Sequence, residues 1–349
     1  MDPDRVEESE KKMRKLGLLG NLMIVILLVI LPSSAAQRED ILKSMPRVDV
    51  HTHIAGDFQL MDRYVELGEI LKEQYDANMD IWIDLGVYTK QEKLTTSLLE
   101  EVDEKYEGRF LLCLSDYRIA NGLKYSPVEL AEWQGRGVVG YKIWVGLSPL
   151  VDDPANDPTF AKMEQIGLLG ASVHIAQPYP SKYCQDPLQY WRAHNAWERV
   201  LDRHPRLIVV QAHMLDHFLS NEQLEYLGYV LETYPNVNLD LSARMQRFHH
   251  MDRDKLREFV IKYSDRILFG TDSQREPLKE ELERTAYRYS RCFQILETDD
   301  TVKGGFYGDK EVRGLKLPVD ILEEIYYRNA ARLYPRVKQV LEARGYLLK

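Results

Sequence analysis

Eight short apolar runs recur along the chain at nearly even intervals, and that rhythm restricts the architecture more than any other feature. They begin near Val48, Ile81, Phe110, Val138, Ala171, Leu207, Val237 and Ile267, with starts 33, 29, 28, 33, 36, 30 and 30 residues apart. Short runs rich in Val, Ile and Leu read as buried strands. The longer stretches between them read as helices. In one, Ala193, Ala196, Trp197, Val200 and Leu201 recur at three- and four-residue steps, a core-facing stripe that Pro205 ends. Glu222–Thr233 and Asp254–Tyr263 follow the same pattern. Eight βα units in unbroken rhythm predict an α/β chain of the (β/α)8 TIM-barrel class, with a doubly wound open sheet as the rival architecture. Gly135, Gly137 and Gly140 spell G-x-G-x-x-G, but they lead into a strand instead of following one, so they read as a turn and not as a phosphate cradle. The longest irregular pieces are Ile175–Asp186 and Thr301–Pro318.

The amino terminus stands apart from this rhythm. Lys11–Lys15 precedes Leu16–Leu31, sixteen residues without a charge, and Ser33–Ala36 supplies small residues suited to a signal peptidase. A membrane span usually needs about 20 apolar residues, so the reading is residues 1–36 as a cleavable signal peptide and 37–349 as one barrel domain. That implies an exported protein, periplasmic or extracellular. The alternative is an anchor through residues 16–31, the one route to a membrane. The chain has 46 basic and 55 acidic residues, a net charge of −9, which argues against a general nucleic-acid binder. Three cysteines are too few for a disulfide framework, and Cys113, inside the run Phe110–Ser115, is expected as a buried free thiol.

Imidazole and carboxylate groups gather at the ends of the strand runs. His51 and His53 close the first, His174 the fifth, His213 the sixth, and Asp272 the eighth. In a strand, residues i and i+2 share a face, so His51 and His53 project together. The carboxyl ends of barrel strands are where such folds place reacting groups. Nitrogen and oxygen donors suit zinc, with manganese or iron as alternatives. His194, His204, His217, His249 and His250 fall on helices or loops and are expected to be surface or packing residues.

The segments VDVHTHI, GYKIW, VHIAQP, VVQAHM and FGTDS resemble the amidohydrolase superfamily, in particular its amidohydrolase-related (family 2) branch, over about Val48 to Tyr334. The closing ILEEIYYRNAARLYP is similar to that branch's last helix. The resemblance implies metal ligation by His51, His53, His174 and Asp272. It places His213 toward the substrate in a mononuclear centre, or on a second metal in a binuclear one. Lys142 matches the position where some superfamily members carry a carbamylated, metal-bridging lysine; it otherwise holds a substrate carboxylate or simply packs. With such ligands, Asp272 would take the proton of a metal-activated water and pass it to a leaving group, and His213 would polarise the substrate carbonyl. Arg244, Arg247 and Arg275, beyond the seventh and eighth runs, are candidates to fork a substrate carboxylate.

The resulting expectation is a metal-dependent hydrolase acting on an amide, ester or lactone of a small molecule. A non-oxidative decarboxylase of a small carboxylated ring would reuse the same centre. A secreted metal-binding barrel without turnover is the reading from another class. Homo-oligomer formation is left open. The chain has no G-x-S-x-G elbow, H-E-x-x-H helix or P-loop.

Overall fold

The computed structural model describes residues 34–54, 56–86, 94–119, 123–145, 150–274, 282–306 and 308–348. Leu16–Leu31 and Arg275 lie outside them. The chain divides into two units, residues 1–44 and 45–349. Helix α1, Ser34–Ser44, belongs to the first. The second begins with strand β1, Pro46–His53. Among the described residues, no helix is long and apolar enough to cross a membrane.

From β1 onward, strands and helices alternate. Helix α2, Phe58–Tyr75, is followed by β2, Asn78–Asp84, and α3, Thr96–Tyr106. The third strand is interrupted at Cys113 into β3, Phe110–Leu112, and β4, Leu114–Ile119; α4, Pro127–Gly135, and β5, Tyr141–Val145, come next. Then come α5, Asp157–Ile166, β6, Gly170–His174, α6, Pro187–Arg203, and β7, Val209–Gln211. Helix α7, Asn221–Thr233, leads to β8, Val237–Asp240, and α8, Arg253–Lys262, to β9, Ile267–Leu268, and β10, Ser273–Gln274, after which comes α9, Leu282–Glu297.

The strands pair in parallel in the orders β10-β1-β2-β3 and β4-β5-β6-β7-β8-β9. Two backbone joins close these sheets on one another. The Cys113 amide donates to Asp84 O while that of Leu114 donates to Gly140 O, so β3 and β4 act as one strand between β2 and β5. At the other join, Val50 N donates to Phe269 O and Asp272 N to His51 O, which ties the β9–β10 stretch to β1. Eight strand positions therefore close into a parallel ring with helices outside it.

The apolar patterns find their partners. Ala193, Ala196, Trp197, Val200 and Leu201 are all buried along α6. Trp82 and Phe110 stack at 5.5 Å, with Tyr64 of α2 edge-on to both, so one aromatic cluster seals α2 against β2 and β3. Each such ring contributes about 1.5–3 kcal/mol by leaving water. The glycine triplet forms a turn, as its order before the strand implies: Gly137 has φ of 108°, and a Cβ on Gly140 would lie 2.6 Å from Ala171 Cβ. The fourth run starts its strand at Tyr141, three residues after Val138. Thr301–Pro318 is more regular than expected, since Thr301–Lys303 and Glu311–Arg313 pair as an antiparallel hairpin, β11 and β12. Cys113, Cys184 and Cys292 are buried free thiols.

A helix interrupted by a π turn packs on β9. It comprises α10, Val319–Glu323, a π-helical turn Glu324–Arg328, and α11, Asn329–Leu333; α12, Pro335–Ala343, follows. A π turn leaves a carbonyl outside the regular ladder. Ile325 O accepts Phe269 N at 2.9 Å, just past β9, and Asn329 Nδ2 donates to Ser264 O and Ile267 O.

Candidate metal centre

The first and eighth strand positions meet at the histidine pair. β1 shifts register against β2 between Asp49 and Thr52, and a bulge of this kind re-aims side chains beside a site. Ligand atoms of His51, His53 and Asp272 lie within 4.8 Å of one another, and all three residues are buried. His53 Nε2 stands 3.1 Å from Asp272 Oδ1, and His51 Nε2 stands 3.6 Å from it. Gly270 permits this approach, because a Cβ there would come within 3.0 Å of His51 Cβ.

Carboxylates that the sequence reading passed over hold the trio in place. Asp240 Oδ2 accepts from His51 Nδ1 at 2.8 Å, which leaves Nε2 of that ring to face Asp272. Ser242 Oγ lies 2.9 Å from both His51 Nδ1 and His213 Nδ1. Asp49 accepts from His51 N, Thr271 N, Thr271 Oγ1 and Tyr289 OH, and so binds β1 to the segment that carries Asp272. Such partners fix ring tautomers and raise ligand basicity. One signal in the sequence would have found Asp49: it lies two residues before His51 in the same run. Asp240 likewise ends its strand run, as the noticed residues do.

The charge state suits a cation. Burial pushes His53 down to about 4, against the pull of Asp272. Burial would raise Asp272, but the hydrogen bond from His53 and the charges of His51, His53 and Lys142 hold it below the usual carboxylate range. At neutral pH His53 is therefore a neutral imidazole and Asp272 a carboxylate, the ionisation a divalent ion requires of them. His51 Nε2 is buried without a hydrogen bond. The donor set fits zinc or a similar ion, with His51 and His53 through nitrogen and Asp272 through oxygen.

The remaining expected residues lie around this trio. His213 packs 4.8 Å from His51 and 4.9 Å from His174 by ring centroids. Burial, followed by the charge of Arg244, holds it well below its ordinary value. His174 stacks on Trp144 at 4.6 Å, and its Nε2 faces Asp216 Oδ2 at 3.3 Å. Its nitrogens fall outside the 4.8 Å trio. Lys142 is buried and donates to Ser172 Oγ at 2.7 Å. Burial lowers it to about 8, against the pull of Asp272, Asp240 and Asp216. Arg244 is ion-paired to Asp216 at 2.9 Å and lies over the Phe218 ring, with its Nε buried and unpartnered. Arg247 is exposed on the 3-10 turn Met245–His250. His249 and His250 are exposed, whereas His194, His204 and His217 are buried. His194 is not a satisfied packing residue, because neither ring nitrogen has a hydrogen-bond partner.

A closed ring of parallel strands with histidine and aspartate at its first and eighth positions is a metal-ready α/β enzyme scaffold. The family model described as amidohydrolase (Amidohydro_2) matches residues 87–336, and the chain belongs to that family, whose members include hydrolases and metal-dependent decarboxylases. The match starts after β2, so His51 and His53 precede it and rest on the geometry above. An uncharacterized TIM-barrel protein from Bordetella bronchiseptica is similar at a TM-score of 0.53 and 15% identity, over 84% of this chain and 100% of that one. A 2,6-dihydroxybenzoate decarboxylase complexed with 2,6-dihydroxybenzoate is similar at a TM-score of 0.50 and 16% identity, over 83% and 99%. At these identities the likeness concerns the fold. No curated protein matches the chain.

Proposed function

We propose that the protein is a metal-dependent hydrolase of a small-molecule amide, ester or lactone. The observation that carries this reading is the buried His51, His53 and Asp272 trio at one end of the strand ring. A divalent ion bound there supplies Lewis acidity and acidifies a water to near pH 7. Asp272, anionic at neutral pH, accepts the proton from the attacking water and returns it to the leaving group. His213, neutral and fixed at Nδ1 by Ser242, presents Nε2 toward the developing oxyanion. Lys142 stands ready as a buried cation beside Asp272 or, once carbamylated, as a further ligand.

Arg244 favours a second reading. A guanidinium fixed by Asp216 beside His213 suits a substrate carboxylate, the group a decarboxylase of a small carboxylated ring must hold. The test is metal analysis of the purified protein followed by turnover on a panel of lactones, amides and carboxylated aromatics. Zinc, manganese or iron at one per chain is expected with unmodified Lys142, and two if its intact mass carries an added carbon dioxide. Asp272→Asn should weaken metal binding and lower turnover by more than about 10²–10⁴-fold, because ligand and base are lost together. Metal bound tightly with no turnover on the whole panel would favour a metal-binding barrel without activity. Export is proposed with this function, and intact mass of exported material should show a chain beginning near Gln37.

A further inference from the structure

We propose that Tyr190, on α6 outside the strand ring, is a positioning residue for His213: its hydroxyl clamps the far end of the left-handed turn that His213 begins. The proposal rests on the metal-centre reading above, which gives His213 its task. His213, Met214, Leu215 and Asp216 have φ between 54° and 59°, a conformation that L-residues avoid. Such a turn persists only where bonds from its surroundings hold it. At its start, Asp240 Oδ1 accepts from His213 N at 2.9 Å. At its end, Tyr190 OH donates to Asp216 O at 3.2 Å and accepts from His217 Nδ1 at 2.9 Å. Tyr190 and His217 are both fully buried.

The direction of these bonds follows from what each group can satisfy. With its proton on Nδ1, His217 donates to the Tyr190 oxygen and frees the hydroxyl proton for Asp216 O, so both contacts are hydrogen bonds. With its proton on Nε2, the hydroxyl would turn to His217 and Asp216 O would lose this donor. A buried N–H would also be left without a partner, since His217 Nε2 has none. An orphaned N–H in the interior is rare and costly, so the first arrangement holds. The Tyr190 ring is itself wedged, with His194 at 4.4 Å, Trp191 at 5.2 Å, His217 at 5.5 Å and Tyr179 at 5.6 Å by ring centroids. The hydroxyl is therefore delivered to one point from a packed helix. At the other end of the turn, His213 Nδ1 donates to Ser242 O at 3.0 Å, and its ring packs 4.8 Å from that of His51. A turn free to relax toward ordinary φ would carry this ring away from His51.

The experiment compares wild type with Tyr190→Phe, which keeps the ring and removes only the hydroxyl. Amide hydrogen exchange reads the turn, because it reports local opening. The His213 and His217 amides should exchange about 3–10-fold faster in the variant, the worth of one hydrogen bond, while those of Val200 and Leu201 in α6 keep wild-type rates. With any substrate that the panel reveals, kcat should fall about 10-fold at unchanged KM, since a displaced His213 fails only as charge develops in the transition state. Exchange that quickens equally in α6, the sign of lost global stability alone, overturns the proposal, as does exchange unchanged in the turn. Should Tyr190→Phe fail to fold, long-range proton–nitrogen NMR of wild type at pH 7 decides: the His217 proton on Nδ1 supports the clamp, and on Nε2 overturns it. A wild type that binds no zinc would remove the metal-centre reading, a separate result, and the exchange rates would still decide the clamp.

Discussion

Backbone strain in this protein is concentrated on residues that surround the candidate centre. His213, Met214, Leu215 and Asp216 have φ of 59°, 55°, 54° and 58°, a buried left-handed turn without glycine. Asp272 and Ala243 share that region of backbone space, at 60° and 54°. For an L-residue this conformation costs roughly 1–2 kcal/mol, and it persists only where its surroundings hold it. The His213 amide is held by Asp240 Oδ1 at 2.9 Å, and His217 N closes the turn on Met214 O. The result is that His213 and Asp216, three residues apart, both face the site. Ala243 tests the strain directly, because its side chain is one methyl group. Ala243→Gly removes the steric cost and adds back about 0.5–1 kcal/mol of chain entropy. Its melting temperature should therefore equal or slightly exceed that of wild type, and a fall of several degrees in calorimetry would contradict the strained assignment.

At the scale of elements, the rhythm of apolar runs was readable because strands buried on both faces are continuous apolar segments and the helices between them are amphipathic. What escaped it depends on contacts distant in sequence. Alternation alone puts His51 and His53 on one face, but the bulge between Asp49 and Thr52 decides their aim, and bulges leave little trace in composition. The π turn of the last helix exists to deliver Ile325 O to Phe269 N, 56 residues away in sequence by the numbering of the pair. His194 of α6 illustrates the same limit. Its helical spacing is ordinary, yet it packs 4.5 Å from the His217 ring, with Tyr190 and Trp191 beside it. Burial, opposed by Asp216, lowers His194 to about 4, and His217 is also held well below its ordinary value by burial and by His194. The unfolded chain therefore binds more protons than the folded one between about pH 4 and 6.5. Stability should be complete above pH 6.5 and fall as pH drops toward 4, by up to about 1.4 kcal/mol per pH unit for each group. His194→Phe keeps an aromatic ring and should flatten that decline in denaturant titrations across the range; an unchanged slope would contradict the burial of a neutral imidazole.

Across residues 45–349, apolar core and polar centre occupy different places, and this separation sets what metal removal will do. The packing of Trp82, Phe110 and Tyr64, the α6 stripe and the seal of the last helix on β9 involve no candidate ligand. The centre instead gathers buried ionisable groups, His51, His53, Lys142, Asp216, Asp240 and Asp272, at one end of the ring. A bound divalent ion offsets the charge of those carboxylates and stabilises the folded state by mass action, about 2.7 kcal/mol when free ion is at 100 times its Kd. For a domain of this size, with an unfolding entropy of about 2.1 cal/mol/K per residue, each kcal/mol moves the melting temperature by about 1.5 °C. Chelation should therefore lower the melting temperature by roughly 4 °C and leave far-ultraviolet circular dichroism at 25 °C unchanged. Asp272→Asn should melt at nearly the same temperature with and without zinc, since the carboxylate that draws the ion is gone. Collapse of the circular dichroism signal on chelation would mean that the ion holds the fold together, and a wild type indifferent to zinc would mean that the trio binds none.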